Sequence, residues 1–168
     1  MKIVLARIDD RFIHGQVTVG WSQKLRPGRI ILSNNEIAAD PWQARVYRSA
    51  VPPDIQVSIF NMSQTVAALK NRDEPRGREA VTILLVGDPA DMLFIHRHGR
   101  RLSTVNVGGM YYTEGKHEML PFVYVDTHDL AAFRALLNSG CHLSAQQLPG
   151  SRETVIDSSL LNAMEAKL

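Results

Sequence analysis

Cysteine is almost absent from this sequence, with Cys141 the single example among 168 residues. One thiol can form neither an internal disulfide nor a cysteine-based zinc site. A chain of this length buries roughly 68–70% of the surface that it exposes when unfolded, so its core suffices for stability. We therefore expect one domain, residues 1–168, that folds without crosslinks in a reducing, cytoplasmic compartment.

Long apolar runs and an excess of charge of one sign are also missing. Apolar runs such as residues 81–86 are far shorter than the ~20 residues that span a bilayer. The N-terminus lacks the charged segment, apolar stretch and cleavage site of an export signal. Nineteen basic and 17 acidic residues leave a formal net charge of +2. We expect no membrane span, no export and no nucleic-acid partner.

Short apolar, β-branched runs alternate with segments of helical period, which is the pattern of a parallel sheet covered by helices. The predicted strands are residues 2–8, 29–33, 55–60, 81–86, 104–107, 122–125 and 142–148. The predicted helices are residues 15–25, 41–51, 63–69, a helix starting at Pro89, 127–137 and 158–167. Ser63 and Thr127 are the expected N-caps of their helices. The fold class predicted is α/β, a three-layer α/β/α domain with a mostly parallel central sheet.

Two connections are longer than the rest, residues 71–79 and 108–121. The first combines charged residues with proline and glycine, which predicts a solvated loop. Strands and helices continue to alternate on both sides of it. It is therefore not expected to be a domain boundary.

Chemistry-bearing residues cluster where the first strand ends and the first helix begins, in residues 8–17. In open α/β sheets, ligands bind at the carboxyl ends of strands, where helix N-termini favour anions. A neutral imidazole is a competent nucleophile near pH 7, so His14 could accept a phosphoryl group. Arg11 could fork onto phosphate oxygens, and the amides around Gly15 and Gln16 could supply further donors. Either Asp9 or Asp10 could orient the imidazole.

Plainer interpretations of the same residues remain open. A histidine at a strand end is often only a polar residue or a cap, and Asp-Asp-Arg is often a loop ion pair. A metal-dependent hydrolase using His14 and Asp10 is disfavoured because no second histidine has ligand spacing. Gly108 and Gly109 either let backbone amides approach a ligand or form a turn that needs positive φ.

Residues 8–17 closely resemble the active-site segment of enzyme IIB components of the mannose/fructose/sorbose family of the bacterial phosphoenolpyruvate-dependent sugar phosphotransferase system. Further matches in order and spacing run nearly to the end of the chain. They are Asn34 to Asp40, Asn106 to Met110 with Glu114-Gly115-Lys116, Tyr124-Val125-Asp126, and Asp129 to Phe133. The first segment and the Asn106 to Met110 turn are the most specific of these.

The resemblance implies a phosphocarrier with a phosphohistidine at Nδ1 of His14. Arg11 would stabilise the phosphate, and Asp10 is the residue assigned to orient the imidazole. Gly15, Gln16, Gly108 and Gly109 would line the phosphate and substrate site. No metal and no cofactor are implied, because the phosphoryl donor is phosphorylated enzyme IIA.

The resemblance also implies partners and a location. The expected partners are enzyme IIA, the membrane subunits IIC and IID, and a sugar. The protein would be cytoplasmic and would associate with the inner face of the membrane through IIC and IID. A homo-oligomer is left open. The alternative is a regulatory or binding module of the same fold that transfers nothing.

Four positions depart from the family pattern. Phe12 stands where leucine is usual, and Asn35 replaces an acidic residue. Asp88 replaces a polar amide, so it must either point away from a phosphate or bind a sugar hydroxyl or a cation. Thr113 stands where some relatives carry a basic side chain. None of these changes affects Arg11 or His14.

Other polar and aromatic residues are expected to be structural. The basic residues 96–101, with the two histidines His96 and His98, predict a solvated helix end, or less favourably, together with residues 72–78, a surface for an acidic partner or the membrane. His128 is expected to be exposed and Cys141 to be buried as a small apolar residue. Trp21 and Trp42 are expected to be core or interface anchors.

Overall fold

The strands come first, because they place the site. The computed structural model describes residues 1–71 and 77–168. Its strands are β1 (Lys2–Asp9), β2 (Arg29–Ser33), β3 (Gln56–Phe60), β4 (Val81–Val86), β5 (Thr104–Gly109), β6 (His117–Leu120), β7 (Val123–Val125), β8 (His142–Ala145) and β9 (Thr154–Val155). In the described chain, seven of them form one sheet in the order β3-β2-β4-β1-β5-β8-β9. All its neighbours pair in parallel except β9, which is antiparallel to β8.

Helices cover both faces of this sheet. A π-helical turn (Gln16–Trp21) runs into α1 (Ser22–Leu25), followed by α2 (Asn35–Ala39), α3 (Pro41–Ser49), α4 (Met62–Lys70), α5 (Pro89–His98), α6 (Thr127–Asn138) and α7 (Ser158–Glu165), with a 3₁₀ turn at Gly77–Ala80. None of the helices in the described ranges is long and apolar enough to cross a membrane.

Successive residues of the central strands enter two different hydrophobic clusters. Ile31 and Leu84 pack with α4 to α7 on one face. Ile30 and Ile83, their neighbours in sequence, pack with the π-helical turn, α2 and α3 on the other face. Side chains alternate along a strand, so a strand buried on both faces is a continuous apolar run. The three-layer α/β/α arrangement with a mostly parallel sheet is confirmed.

The structure corrects several predicted elements. Residues 122–125 do not join the main sheet, because β7 pairs antiparallel with β6, which was not predicted, and makes only one bridge to Met110. Strand β8 ends at Ala145 instead of residue 148, since the carbonyls of Gln146 and Gln147 turn to accept side-chain hydrogen bonds. Helix α2 and strand β9 were not predicted. Residues 72–76 of the predicted solvated loop and basic cluster lie outside the described residues.

Two predicted N-caps are wrong by one or two residues. Asn61 caps α4 by accepting the backbone N–H of Gln64, and its own backbone N–H donates to Oε1 of Gln64 in return, so Ser63 lies inside the helix. Asp126 and Asp129 form the same reciprocal pair at α6, where Thr127 is the first helical residue. Such reciprocal capping satisfies two free backbone amides at once, which a lone hydroxyl cannot do.

The chain leaves β1 and β5 in opposite directions. From β1 it continues through the π-helical turn to β2 on one side of the sheet, whereas the chain beyond β5 leads through α6 to β8 on the other side. Neighbouring parallel strands whose connections diverge leave a crevice at their carboxyl ends. Asp9 pairs with Gly109 at this crevice, and Ile8 pairs with Val107. Gly108 is therefore the extra residue of a bulge in β5.

Candidate active site

The loop from Asp10 to Gly15 connects β1 to the π-helical turn. Phe12 takes a left-handed backbone conformation with φ of 56°, which is uncommon outside glycine, asparagine and aspartate. Its ring lies against Gly87, where a Cβ would be 2.8 Å from the ring, and edge-on to Tyr47 at 6.0 Å between ring centroids. The carbonyl of His14 accepts the backbone N–H groups of Val17 and Thr18. This packing fixes the loop that carries His14.

Asp9 is the centre of the site. Its carboxylate is fully buried and meets three side chains that can be cations. Oδ1 accepts from Nε of Arg11 at 2.9 Å, and Oδ2 accepts from Nη2 of Arg7 at 2.8 Å. Oδ2 also lies 3.1 Å from Nε2 of His14.

Asp9 is ionised at neutral pH. Burial alone would raise its pKa, but the hydrogen bonds from His14 and Arg11 and the charges of Arg7 and Arg11 outweigh burial. The pKa of Asp9 therefore falls well below its ordinary value of 3.8. A buried charge of this kind is tolerated because it is paired and hydrogen-bonded.

The two ring nitrogens of His14 have different partners. Nδ1 lies 3.4 Å from the backbone N of Gln16, and Nε2 lies 3.1 Å from Oδ2 of Asp9. A backbone N–H only donates and a carboxylate only accepts, so these two partners favour the tautomer with the proton on Nε2. The side chain is 19% exposed. The site thus presents an imidazole whose Nδ1 lone pair is available while Nε2 is held.

Arg11 lies on the accessible side of Asp9, with 22% of its side chain exposed. Burial would lower its pKa, but the hydrogen bond and charge of Asp9 raise it. Nη2 donates to Oε1 of Gln16 at 2.9 Å and to the carbonyl of Gly108 at 3.3 Å. The ring of Tyr111 lies 5.6 Å from the guanidinium carbon, within the range of a cation–π contact.

The paired glycines provide room for arginine side chains. Both lie within β5, and neither is among the glycines with positive φ, so the alternative of a turn that needs positive φ is wrong. A Cβ on Gly108 would lie 1.9 Å from Cζ of Arg7, and one on Gly109 would lie 3.0 Å from Nη2 of Arg11. Their role in binding phosphate or substrate stays a prediction.

Asp10 does not contact His14, which corrects its assignment as the orienting residue. Its Oδ2 accepts the backbone N–H of Tyr111, so it ties the loop after β5 to the loop after β1. Burial raises the pKa of Asp10, and its Oδ1 is buried without a partner among the described residues. Asp9, the other residue considered, makes the contact that orients the His14 ring. Side chains alternate along a strand, so Arg7 and Asp9 lie on the same face of β1, below the histidine.

Sequence reasoning missed two polar residues of the site, Arg7 and Asn106. Both are buried, they face each other across β1 and β5, and the guanidinium donates to the amide oxygen of Asn106. A signal was available, since each is a polar residue inside an otherwise apolar strand. Gln16 also does more than start a helix, because Oε1 accepts from both Arg7 and Arg11.

Two of the residues that depart from the family pattern, Asp88 and Asn35, make structural contacts. Asp88 caps α5 by accepting the backbone N–H of Asp91, and Oδ1 of Asn35 accepts that of Met62. His96 is buried and its Nδ1 accepts the backbone N–H of Leu102, so the expectation that it belongs to a solvated helix end is wrong. His128 is exposed and Cys141 is buried, as expected.

The two tryptophans differ. Trp21 is buried in the core, whereas Trp42 is 73% exposed on α3.

Over the described ranges, no group of three or more His, Cys, Asp or Glu side chains could share a metal ion.

These observations define a three-layer α/β protein with a histidine, an aspartate and two arginines at the carboxyl edge of its sheet. The family model described as "PTS system sorbose subfamily IIB component" matches residues 3–167. The chain therefore belongs to the sorbose subfamily of IIB components of the sugar phosphotransferase system, and its function is phosphotransfer to a sugar.

Relatives and a solved structure agree with this membership. The sorbose-specific EIIB component of Klebsiella pneumoniae is 37% identical over 143 residues, which are 85% of each chain. The mannose-specific EIIAB component of Escherichia coli K12 is 32% identical over 88% of this chain, which spans 45% of that protein. The crystal structure of the IIBSor domain of the K. pneumoniae sorbose permease matches with a TM-score of 0.86 and 32% identity, covering 100% of this chain and 99% of that one.

Proposed function

We propose that Nδ1 of His14 receives a phosphoryl group from the phosphohistidine of an enzyme IIA and passes it to a sugar. The observation that carries the proposal is the pair of contacts that the His14 ring makes. Nε2 lies 3.1 Å from Oδ2 of Asp9 and Nδ1 lies beside the backbone N–H of Gln16, and these partners favour a lone pair on Nδ1. An imidazole in this state needs no general base before it attacks phosphorus.

Each transfer breaks one nitrogen–phosphorus bond and forms a bond to the acceptor. The Nδ1 lone pair attacks phosphorus while the bond to the IIA imidazole breaks and returns its electron pair to that ring. The proton on Nε2 stays in place, and Asp9 stabilises the positive charge that the ring acquires. In the second transfer a sugar hydroxyl oxygen attacks phosphorus, its proton is released, and His14 regains its lone pair.

Phosphoryl transfer has a loose transition state, so catalysis consists of positioning and charge stabilisation. Arg11 is the accessible cation beside His14, and its guanidinium is suited to two phosphate oxygens at once. The backbone N–H of Gln16, which now points at Nδ1, would donate to a phosphate oxygen. We propose that no metal or nucleotide takes part, since the phosphorylated IIA supplies both the phosphoryl group and the driving force.

The partners follow from the same proposal. One relative, the mannose-specific component, is named EIIAB, which supports a IIA protein as the donor. The sugar would arrive through membrane subunits IIC and IID, which places this chain in the cytoplasm against the inner face of the membrane. The relatives are named for sorbose and for mannose, so membership of the family does not fix the sugar.

The test is phosphorylation in a reconstituted system. The protein is incubated with labelled phosphoenolpyruvate, the general phosphotransferase proteins and IIA, and the label is located by mass spectrometry. We expect an acid-labile label on His14, none on His14→Ala, and wild-type labelling of the matched control His128→Ala, whose side chain is exposed. His14→Ala labelled as well as wild type would refute the proposal.

Adding membranes that contain IIC and IID, with a panel of sugars, tests the second transfer. We expect the label to leave the protein and to appear as sugar phosphate with one or more sugars. A label that forms on His14 but never discharges would instead support a regulatory module of the same fold.

A further inference from the structure

Arg7 is the largest fully buried side chain in the described structure that carries a charge. All five of its N–H groups are used. Nε and Nη2 donate to Oδ2 of Asp9 at 3.1 and 2.8 Å, and Nη1 donates to Asn106. Nη1 also donates to the carbonyl of Gln146 at 2.9 Å. The two hydrogens of Nη2 are shared among Asp9, the carbonyl of Gln147 at 3.1 Å and Oε1 of Gln16 at 3.3 Å.

The neighbouring segments leave space for the guanidinium of Arg7. Gly108, the extra residue of the β5 bulge, cannot carry a Cβ without colliding with Arg7. Strand β8 stops at Ala145, where its following carbonyls turn toward Arg7. The ring of Trp21 lies 5.7 Å from the guanidinium carbon, on a further side. The guanidinium of Arg7 is thus surrounded by four segments: β1, the π-helical turn, β5 and the chain after β8.

Arg7 and Arg11 both bind Asp9 but differ in their exposure to solvent. Arg11 is partly exposed, so on the proposed function it is the arginine that an incoming phosphoryl group meets. Arg7 is fully buried, and it reaches the site through Asp9 and through Oε1 of Gln16. If Arg11 turns to the phosphate, Arg7 is the arginine that stays on the carboxylate.

We propose that Arg7 is a positioning residue of phosphotransfer: it anchors Asp9, and through Asp9 it holds His14 with the proton on Nε2 and the lone pair on Nδ1. Arg7 and His14 meet on the same oxygen, Oδ2 of Asp9, at 2.8 and 3.1 Å. The inference rests on the phosphotransfer at His14 proposed above.

Arg7→Met tests it, because methionine fills much of the same space without the charge or the donors. Folding is checked by circular dichroism and thermal unfolding. We expect phosphotransfer from IIA to slow by about 100-fold, since small misplacements of a reacting group cost about that much. The matched control is Arg29→Met, the same substitution at the amino end of β2, which β4 separates from β1, and it should transfer at the wild-type rate.

Two spectroscopic readouts separate positioning from a general loss of structure. Nitrogen NMR of labelled histidine reports which ring nitrogen of His14 carries the proton. Phosphorus NMR reports which nitrogen carries the phosphoryl group. Wild type should show Nε2–H and phosphorylation at Nδ1, whereas folded Arg7→Met should show a mixture of tautomers and label on both nitrogens.

Gly108→Ala displaces Arg7 without removing it, and serves if Arg7→Met does not fold. The new Cβ would lie 1.9 Å from Cζ of Arg7, so the guanidinium must move, and we expect the same mixed signals. Its matched control is Gly150→Ala, where a Cβ meets nothing within 4 Å. A folded Arg7→Met or Gly108→Ala with wild-type rate, tautomer and label would overturn the inference.

Measurement of the unmodified protein is decisive even without variants. A wild-type His14 with its proton on Nδ1 would overturn the inference. The label could still be found on His14 and be absent from His14→Ala, so that phosphotransfer through His14 would stand while the choice of Nδ1 and the role of Arg7 fell.

Discussion

Asp9→Asn is the substitution for which the structure predicts the largest single electrostatic loss. The carboxylate accepts six hydrogen bonds, from Arg7, Arg11 and His14. Asparagine has one acceptor oxygen and one NH2 group. Its NH2 group would therefore face some of the N–H donors that now point at the carboxylate. Both arginines would remain, and Arg7 is fully buried.

Removing one partner of a buried ion pair typically costs about 3–5 kcal/mol, because the other charge stays uncompensated. For a domain of this size, each kcal/mol lowers the melting temperature by about 2–4 °C, so we expect a drop of about 6–20 °C. Urea unfolding at neutral pH measures the free energy directly. The matched control is Asp157→Asn, since Asp157 caps α7 by accepting from Leu160 and asparagine caps equally well.

The dependence on pH identifies the cause. Asp9 has a folded pKa below its unfolded value of 3.8, so its stabilising effect is complete above that pH and disappears as the pH falls through the folded pKa. The difference between wild type and Asp9→Asn should therefore be full at neutral pH and shrink in strong acid. A difference below about 1 kcal/mol at neutral pH would refute the reasoning. A large difference that does not change with pH would assign the loss to shape instead of charge.

Three further predictions follow from neighbouring contacts. Arg11→Ala should slow transfer from IIA by about 100- to 1000-fold, as loss of a charge-stabilising donor does, and a rate equal to wild type in the phosphotransfer assay would contradict this. Gly87→Ala should destabilise the protein by about 1–3 kcal/mol in urea unfolding, because its Cβ would lie 2.8 Å from the Phe12 ring, and Phe12→Leu in the same chain should recover part of the loss. Burial and the charge of Asp88 raise the pKa of Asp91 to about 6, so its ionisation destabilises the folded state as pH rises toward and through that value. Asp91→Asn should therefore be more stable than wild type at about pH 8 and equal to it at about pH 3, and equal stability at both would contradict the shift.

Most of the sheet could be predicted from the sequence because its strands are buried on both faces. Residues 81–86 and 29–33 read as strands, and the structure has β4 and β2 with those bounds. Burial makes such runs apolar regardless of what they pair with. The pairing partner is not encoded in the run, which is why residues 122–125 were assigned to the main sheet although they form a hairpin.

The sequence predicts where the candidate site lies, but it predicts only part of the geometry of that site. His14 and Arg11 stand out because they follow a strand and precede a helix. The choice between Asp9 and Asp10 depends on which residue still belongs to β1. Strand β1 extends through Asp9, so this side chain points with Arg7 toward the histidine, and Asp10, one residue later, points to Tyr111.

The charges of the site suit a carrier that must release what it accepts. With Asp9 ionised, the two arginines leave one net positive charge beside His14, whose ring the proposed mechanism requires to be neutral. A phosphoryl group adds about two negative charges, and the ring that bears it gains one positive charge. The phosphorylated site is then close to neutral. Without the carboxylate, two uncompensated arginines would hold the phosphoryl group more tightly and slow its transfer to the sugar. On the proposed function, the buried Asp9 would serve both transfers, because it would orient the nucleophile before phosphorylation and limit the attraction for phosphate afterwards.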